Sequence, residues 1–220
     1  MNEKLCCAER IKAIIFDLDG VICFTDKLHY RAWKKLADRL GVYFDETIND
    51  RLRGVSRMAS LEIVLERSGK TWSPEEKEAF AEEKNEYYRE LLGTMSPEDL
   101  SEEVSDTLLT LRERGYLLAI GSSSKNTKTI LQRIGLGVFF DAVSDGTDIT
   151  RSKPDPQVFL IAAEKLGVKP EQCAVVEDAK AGIQAAKGGG MTAFAFGGDA
   201  AGCGLEDHDL NRFSDLLMVL

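Results

Sequence analysis

Short continuous apolar runs, each followed by a helical pattern, constrain this chain more than any other feature. "KAIIF" (12–16), "YLLAIG" (116–121), "CAVVE" (173–177) and "TAFAF" (192–196) are such runs, and "FFDAV" (139–143) is a weaker one. A strand that is apolar on both sides has no face to give to water. It belongs in a parallel sheet covered on both faces. The segments between the runs supply the cover. "SEEVSDTLLTLRERG" sets Val104, Leu108 and Leu111 on one face and ends at Gly115, a residue type suited to a helix C-terminus. "PQVFLIAAEKLG" ends in the same way at Gly167, and "KAGIQAAKGGG" is stopped by a run of glycines. The expected class is α/β, with a Rossmann-like parallel sheet as its core.

One block breaks the alternation. "HYRAWKKLADRLG" reads as an amphipathic helix ending at Gly41, and "SRMASLEIVLERSG" as another ending at Gly69. "SPEEKEAFAEEKNEYYRELLG" opens with Ser73 as N-cap, Pro74 at the first helical position and Glu76 as the capping-box acid, and runs to Gly93. Nothing in this block has the pattern of a strand. The expected organisation is an α/β core of residues 1–25 and 96–220, with an α-helical cap of residues 26–95 inserted after the first strand. A chain of 220 residues, 44% of them hydrophobic, suits one core with such an insertion.

The formal net charge of −9 argues against nonspecific binding to nucleic acid or to an anionic membrane. It leaves anionic substrates open, because a metal or a few local cations can reverse the sign in one cleft. No apolar run is long enough to span a bilayer, and "MNEKLCCAERIK" has no signal-peptide core. Five cysteines without metal-ligand spacing fit a reducing compartment. A cytoplasmic monomer is expected. Cys6 and Cys7 read as free thiols in a tail, and Cys23 and Cys173 as core filler.

In an open α/β sheet, ligands bind beyond the carboxyl ends of the strands. Asp17 and Asp19 follow the first run, Ser122, Ser123, Ser124, Lys125 and Asn126 follow the second, and Glu177 and Asp178 lie at the end of "CAVVED". Lys153 sits between them in "SKPDP". Each has a bland reading. Aspartates after a strand often cap a turn, "SSSKN" could be an N-cap cluster, and "EDA" could open an ordinary helix. Together they ask for more. Four carboxylates in one crevice repel unless a cation sits among them. An all-oxygen ligand set suits Mg²⁺.

"FDLDGV", the serine after the second strand, the loop lysine and the "EDA" acids resemble, in order, the four motifs of the haloacid dehalogenase superfamily. The resemblance runs over nearly the whole chain. It implies a parallel sheet with a central first strand, a cap inserted after it, and phosphoryl transfer through an aspartyl-phosphate. By that resemblance Asp17 is the nucleophile and Asp19 the general acid/base. Mg²⁺ is held by Asp17, the main-chain carbonyl of Asp19, Glu177 and Asp178, while Ser122 and Lys153 hold the oxygens of the transferring group.

The cap is similar to that of the β-phosphoglucomutase branch. "TDKLHYRAW" supplies Thr25, His29 and Trp33, and "RGVSRMAS" supplies Arg53, Gly54, Val55, Arg57 and Ser60. The resemblance implies that Arg57 grips the non-reacting phosphate of a bisphosphate, that Ser123, Ser124, Lys125 and Asn126 contact it or the sugar, and that Thr25 and His29 work beside the general acid. His29 and Trp33, four apart, have an alternative reading as packing residues on one helix face, and Arg57 one as a solvated charge. The branch has an aspartate where this chain has Phe24, and often a lysine where it has Arg53. The expected function is a mutase interconverting β-glucose 1-phosphate and glucose 6-phosphate through an aspartyl-phosphate and a 1,6-bisphosphate, because Arg57 and Lys125 supply cations for two phosphates. Its competitors are a sugar-phosphate phosphatase with the same nucleophile and a non-catalytic phosphosugar-binding protein. The expected partners are a small sugar phosphate and its bisphosphate.

Overall fold

A computed structural model of the protein describes residues 11–52 and 55–220. Cys6, Cys7, Arg53 and Gly54 therefore lie outside the described residues. The chain divides into two compact units. One takes the chain up to Phe24 and again from Ser96 to Leu220, and the other is Thr25–Met95.

The first unit is built on a parallel sheet. Its strands are β1 (Ala13–Phe16), β2 (Leu117–Gly121), β3 (Ala142–Ser144), β4 (Cys173–Glu177), β5 (Thr192–Phe196) and β6 (His208–Leu210), in the spatial order β3-β2-β1-β4-β5-β6. β1 pairs in parallel with β2 on one side and with β4 on the other. Its residues are all buried, as a strand with neighbours on both edges and both faces requires. Successive side chains point to opposite faces. Ala13 and Ile15 join Val158, Phe159 and Ala162 of a helix at Gln157–Leu166 and Ile183 and Ala186 of a helix at Lys180–Gly188. Phe16 points the other way, with its ring 5.7 Å from that of Phe213 and 6.3 Å from that of Phe140. Cys23 and Cys173 are fully buried.

The weak run "FFDAV" yields its strand late. Phe139 and Phe140 stay in the turn, where Arg112 lies over the Phe139 ring at 4.7 Å. Asp141 spends a carboxylate oxygen on the Leu118 N–H at 2.8 Å, and pairing starts only at Ala142.

The second unit is helical. Its elements are α1 (Asp26–Leu40), a short α2 (Glu46–Asp50), α3 (Arg57–Leu65) and α4 (Pro74–Leu92). α1 ends at Gly41 in the left-handed region (φ 70°), whose N–H reaches the carbonyls of Ala37 and Asp38. α4 begins with the full reciprocal box, the Ser73 side chain accepting from Glu76 N and Glu76 accepting from Ser73 N. Gly93, in contrast, closes α4 in ordinary helical geometry (φ −59°), and the chain continues through Thr94 and Met95 by further turn bonds to Leu91 and Leu92. Trp33, Leu36, Val42, Phe44, Leu61 and Val64 form the core of this unit. Among the described residues no helix is long and apolar enough to cross a membrane.

Candidate active site

The register of the sheet brings the first acids together. Phe16 lies opposite Ile120 on β2 and Val176 on β4. Asp17 extends the ladder by donating its N–H to Val176 O at 2.9 Å. Asp17 is 8% exposed, and Glu177, at the end of β4, 1%. Beyond Asp17 the chain folds back: Gly20 N donates to Cys23 O at 2.7 Å, and Asp19 bridges to Cys23. Gly20 has φ +94°, and a Cβ there would sit 2.2 Å from Asp178 Oδ2. Both the left-handed conformation and the close approach require glycine. Asp19 is half-buried at this turn.

Lys153 reaches the same edge from the loop before the Gln157–Leu166 helix. Gln157 Oε1 pins that loop by accepting from Thr150 N and Arg151 N, each at 2.9 Å. The Lys153 side chain is 7% exposed. Its ammonium donates to Asp17 Oδ1 and Glu177 Oε1 and lies 4.7 Å from the Phe159 ring centre. Burial works to lower its pKa, but Asp17 and Glu177 outweigh burial and hold it above the ordinary lysine range. Burial pushes the Glu177 carboxyl up, to about 7, with Lys153 opposing and Asp17 reinforcing the rise.

Asp17, Glu177 and Asp178 each offer an oxygen within 4.8 Å of the others. This set fits a hard divalent cation. Every donor is a carboxylate oxygen, and burial raises the Glu177 carboxyl even with Lys153 beside it, the kind of buried acid that a further cation would help to hold ionised. Room is kept for them by glycine, since a Cβ on Gly182 would stand 1.9 Å from the Glu177 carboxyl carbon.

The second strand end supplies hydroxyls. Ser122 is buried, its N–H bound to Ser144 O at 3.1 Å, and its Oγ accepts from Ser124 N at 3.1 Å. Ser124 Oγ accepts in turn from Asn126 N at 3.2 Å. Ser123 and Lys125 are exposed, Ser124 is half-buried and Asn126 is buried. Nothing in the sequence singled out the loop after β5. There Ala200 N donates to Asp178 O at 3.1 Å, and Asp199 Oδ1 accepts from Lys180 N at 2.7 Å. A Cβ on Gly198 would fall 1.9 Å from Asp178 O. This loop holds the backbone that carries Asp178.

The helical unit gathers a second polar group. Lys84 of α4 is 3% exposed, and its ammonium lies 2.8 Å from His29 Nδ1. It is also 4.8 Å from the Trp33 ring centre and 4.7 Å from that of Tyr88. An ammonium can only donate, so His29 accepts at Nδ1 and carries its proton on Nε2. Burial, then Lys84 and Arg57, keep the His29 pKa well below its ordinary value, so the ring is neutral. It stacks on Tyr88 with centroids 4.0 Å apart. Trp33 is 3% exposed and belongs to the core of the unit, which favours its packing reading. Ser60 and Thr25 are buried and Val55 is exposed. Arg57 Nη2 donates to Asn85 Oδ1 at 2.9 Å, and burial lowers the Arg57 pKa. Lys84, Asn85 and Tyr88 were not singled out by the sequence reading. Within "EEKNEYYREL" the charges look like a solvated helix face, and only the i, i+4 spacing of Lys84 and Tyr88 hinted otherwise.

A family model described as haloacid dehalogenase-like hydrolase matches residues 11–190. Over 212 residues, 96% of this chain and 93% of the relative, the chain is 39% identical to a β-phosphoglucomutase of Bacillus subtilis. It is 34% identical to the fructose-1-phosphate phosphatase YqaB of Escherichia coli, over 84% of this chain and 96% of that one. A crystal structure of β-phosphoglucomutase from Clostridium difficile superposes with a TM-score of 0.85 at 35% identity, covering 94% of this chain and 93% of that one.

Proposed function

The chain belongs to the haloacid dehalogenase-like hydrolase family, and from that premise we propose that it is a phosphosugar mutase interconverting β-glucose 1-phosphate and glucose 6-phosphate. The observation that carries phosphoryl transfer is the convergence of Asp17, Glu177, Asp178 and Lys153 on one sheet edge. The choice of mutase rests on the cationic group of the helical unit and on the 39% identity to a β-phosphoglucomutase.

In this reading Asp17, phosphorylated, gives its phosphoryl group to the sugar 6-hydroxyl while Asp19 takes the hydroxyl proton. The product is the 1,6-bisphosphate. It turns round, Asp17 attacks the phosphorus at C1, and the bond from phosphorus to O1 breaks. Asp19 returns the proton to O1, and glucose 6-phosphate leaves with Asp17 phosphorylated again. Asp17, Glu177, Asp178 and the Asp19 carbonyl would hold Mg²⁺, which would neutralise phosphate charge so that an anionic nucleophile can approach. Lys153 and Ser122 hold the equatorial oxygens that gain charge in the transition state. The resemblance to the β-phosphoglucomutase branch assigns the remote phosphate to Arg57, a planar bidentate donor, and contacts with the sugar or that phosphate to Ser124, Lys125 and Asn126.

A phosphatase is the second reading, favoured by the 34% identity to a fructose-1-phosphate phosphatase. There water, activated by Asp19, removes the phosphoryl group from Asp17. Incubation with β-glucose 1-phosphate, Mg²⁺ and a trace of the 1,6-bisphosphate separates the two. The mutase forms glucose 6-phosphate with little free phosphate. Free phosphate forming faster than glucose 6-phosphate overturns it.

A further inference from the structure

Arg57 is not an open guanidinium. Its Nη2 donates to Asn85 Oδ1 at 2.9 Å, and its Nη1 stands 3.5 Å from Glu82 Oε2. Asn85 closes the triangle, since Nδ2 donates to Glu82 Oε1 at 3.3 Å. The amide orientation follows from donor logic: Arg57 can only donate, so the oxygen of Asn85 faces it and the NH₂ faces Glu82. The two oxygens of the Glu82 carboxylate thus occupy an Arg N–H and an amide N–H side by side. That pairing of donors is what two oxygens of a phosphate would take. The Glu82 side chain is 59% exposed and Arg57 27%, so Glu82 can swing out into water while Arg57 stays.

We propose that Glu82 is an affinity-setting residue: a built-in anion seated on the Arg57 and Asn85 donors, which an incoming phosphate must displace. This deepens the mutase reading and rests on Arg57 holding the remote phosphate. A tethered carboxylate competes with every anion, and a single charge at an exposed pair is a weak competitor. A phosphate dianion displaces it, while a singly charged sugar acid gains little over what it removes. The device also loosens the grip on the bisphosphate. In a mutase that intermediate has to let go and turn round, so a grip without a competitor is a liability for turnover.

The test is calorimetric titration of glucose 6-phosphate, with Mg²⁺ present, into the wild type, Glu82→Gln and Glu82→Ala. Both variants should bind roughly 3- to 10-fold tighter, the size expected for removing one partly screened charge beside the ligand. Glu86→Gln, on the exposed side of the same helix, removes the same net charge and should change nothing. In an Arg57→Ala background Glu82→Gln should give no gain. In steady state, Glu82→Gln should lower KM and kcat together. Unchanged or weaker binding in both Glu82 variants overturns the proposal. So does an equal gain in Glu86→Gln, or a gain that survives without Arg57. Binding is read whichever reaction follows, so a wild type that hydrolyses rather than isomerises ends the mutase reading without touching this result.

Discussion

Replacing Gly182 by alanine sets two forces against each other. Gly182 lies in the first turn of the Lys180–Gly188 helix, where alanine is favoured over glycine by at most about 1 kcal/mol. Against this, the new Cβ would stand 1.9 Å from the Glu177 carboxyl carbon and 2.0 Å from its Oε1. Glu177 cannot yield freely, because Lys153 and the Ala179 N–H (2.9 Å) hold its two oxygens. Overpacking costs about 1–3 kcal/mol, and a broken charge-assisted hydrogen bond about 1.5–3. The clash wins. At about 2–4 °C per kcal/mol for a chain of this size, Tm should fall by several degrees. Displacing an acid of the cluster proposed to hold Mg²⁺ should weaken Mg²⁺ binding by about 10- to 100-fold, as changes next to metal ligands do. Scanning calorimetry and a Mg²⁺ titration of the substrate-free protein read the two effects separately. A variant with raised Tm and unchanged Mg²⁺ affinity would show that Glu177 is neither held in place nor part of a metal site.

Other substitutions probe the chemistry. Asp17→Asn should abolish phosphoenzyme formation, and a phosphate mapped to Ser122 instead would refute the nucleophile. Asp19→Ala should retain Mg²⁺ binding but lose about 10²–10⁴-fold in turnover, measured by coupled assay. Arg57→Ala should cut mutase turnover by about 10- to 150-fold while sparing hydrolysis of acetyl phosphate, which has no second phosphate to grip. His29 should leave a mark on stability against pH. Its folded pKa lies well below 6.5, so only the unfolded chain takes up a proton as pH falls through that value. The contribution is complete above about pH 6.5 and is lost progressively below it. Urea denaturation between about pH 7 and 5 should therefore show a flatter slope in His29→Gln, and an unchanged slope would place the titration elsewhere.

The parts legible in the sequence share a physical cause. β1, β2, β4 and β5 are buried on two faces, so their apolar runs are unbroken and visible. β6 is "HDL", a three-residue edge strand with one pairing partner, β5, and two polar residues, and it leaves no run to see. Helix α2 is similar: five residues started by Asp45, whose side chain accepts from Ile48 N, too short for any periodicity to register. Asp17, Glu177, Asp178 and Lys153 could be found because each lies at a strand end or in a proline-marked loop, and strand ends are where such folds concentrate ligands. Lys84 was hidden because burial of its ammonium depends on Trp33, Tyr88 and His29 closing round it. That is a tertiary arrangement and no spacing rule announces it.

The position of β1 at the middle of the sheet has a consequence for synthesis on the ribosome. β1 is the first of the described strands to be made, yet its neighbours are β2, which follows the entire helical unit, and β4, which follows two further helices. Until residues of β4 emerge, one edge of the strand has no partner, and pairings so distant in sequence form slowly. Asp17 therefore exists long before Glu177 and Asp178 can come within reach of it. A chain cut short before Cys173 would carry an apolar strand with an open edge, the feature that drives intermolecular pairing. Prematurely terminated products of this chain should aggregate rather than persist as soluble, partly active fragments.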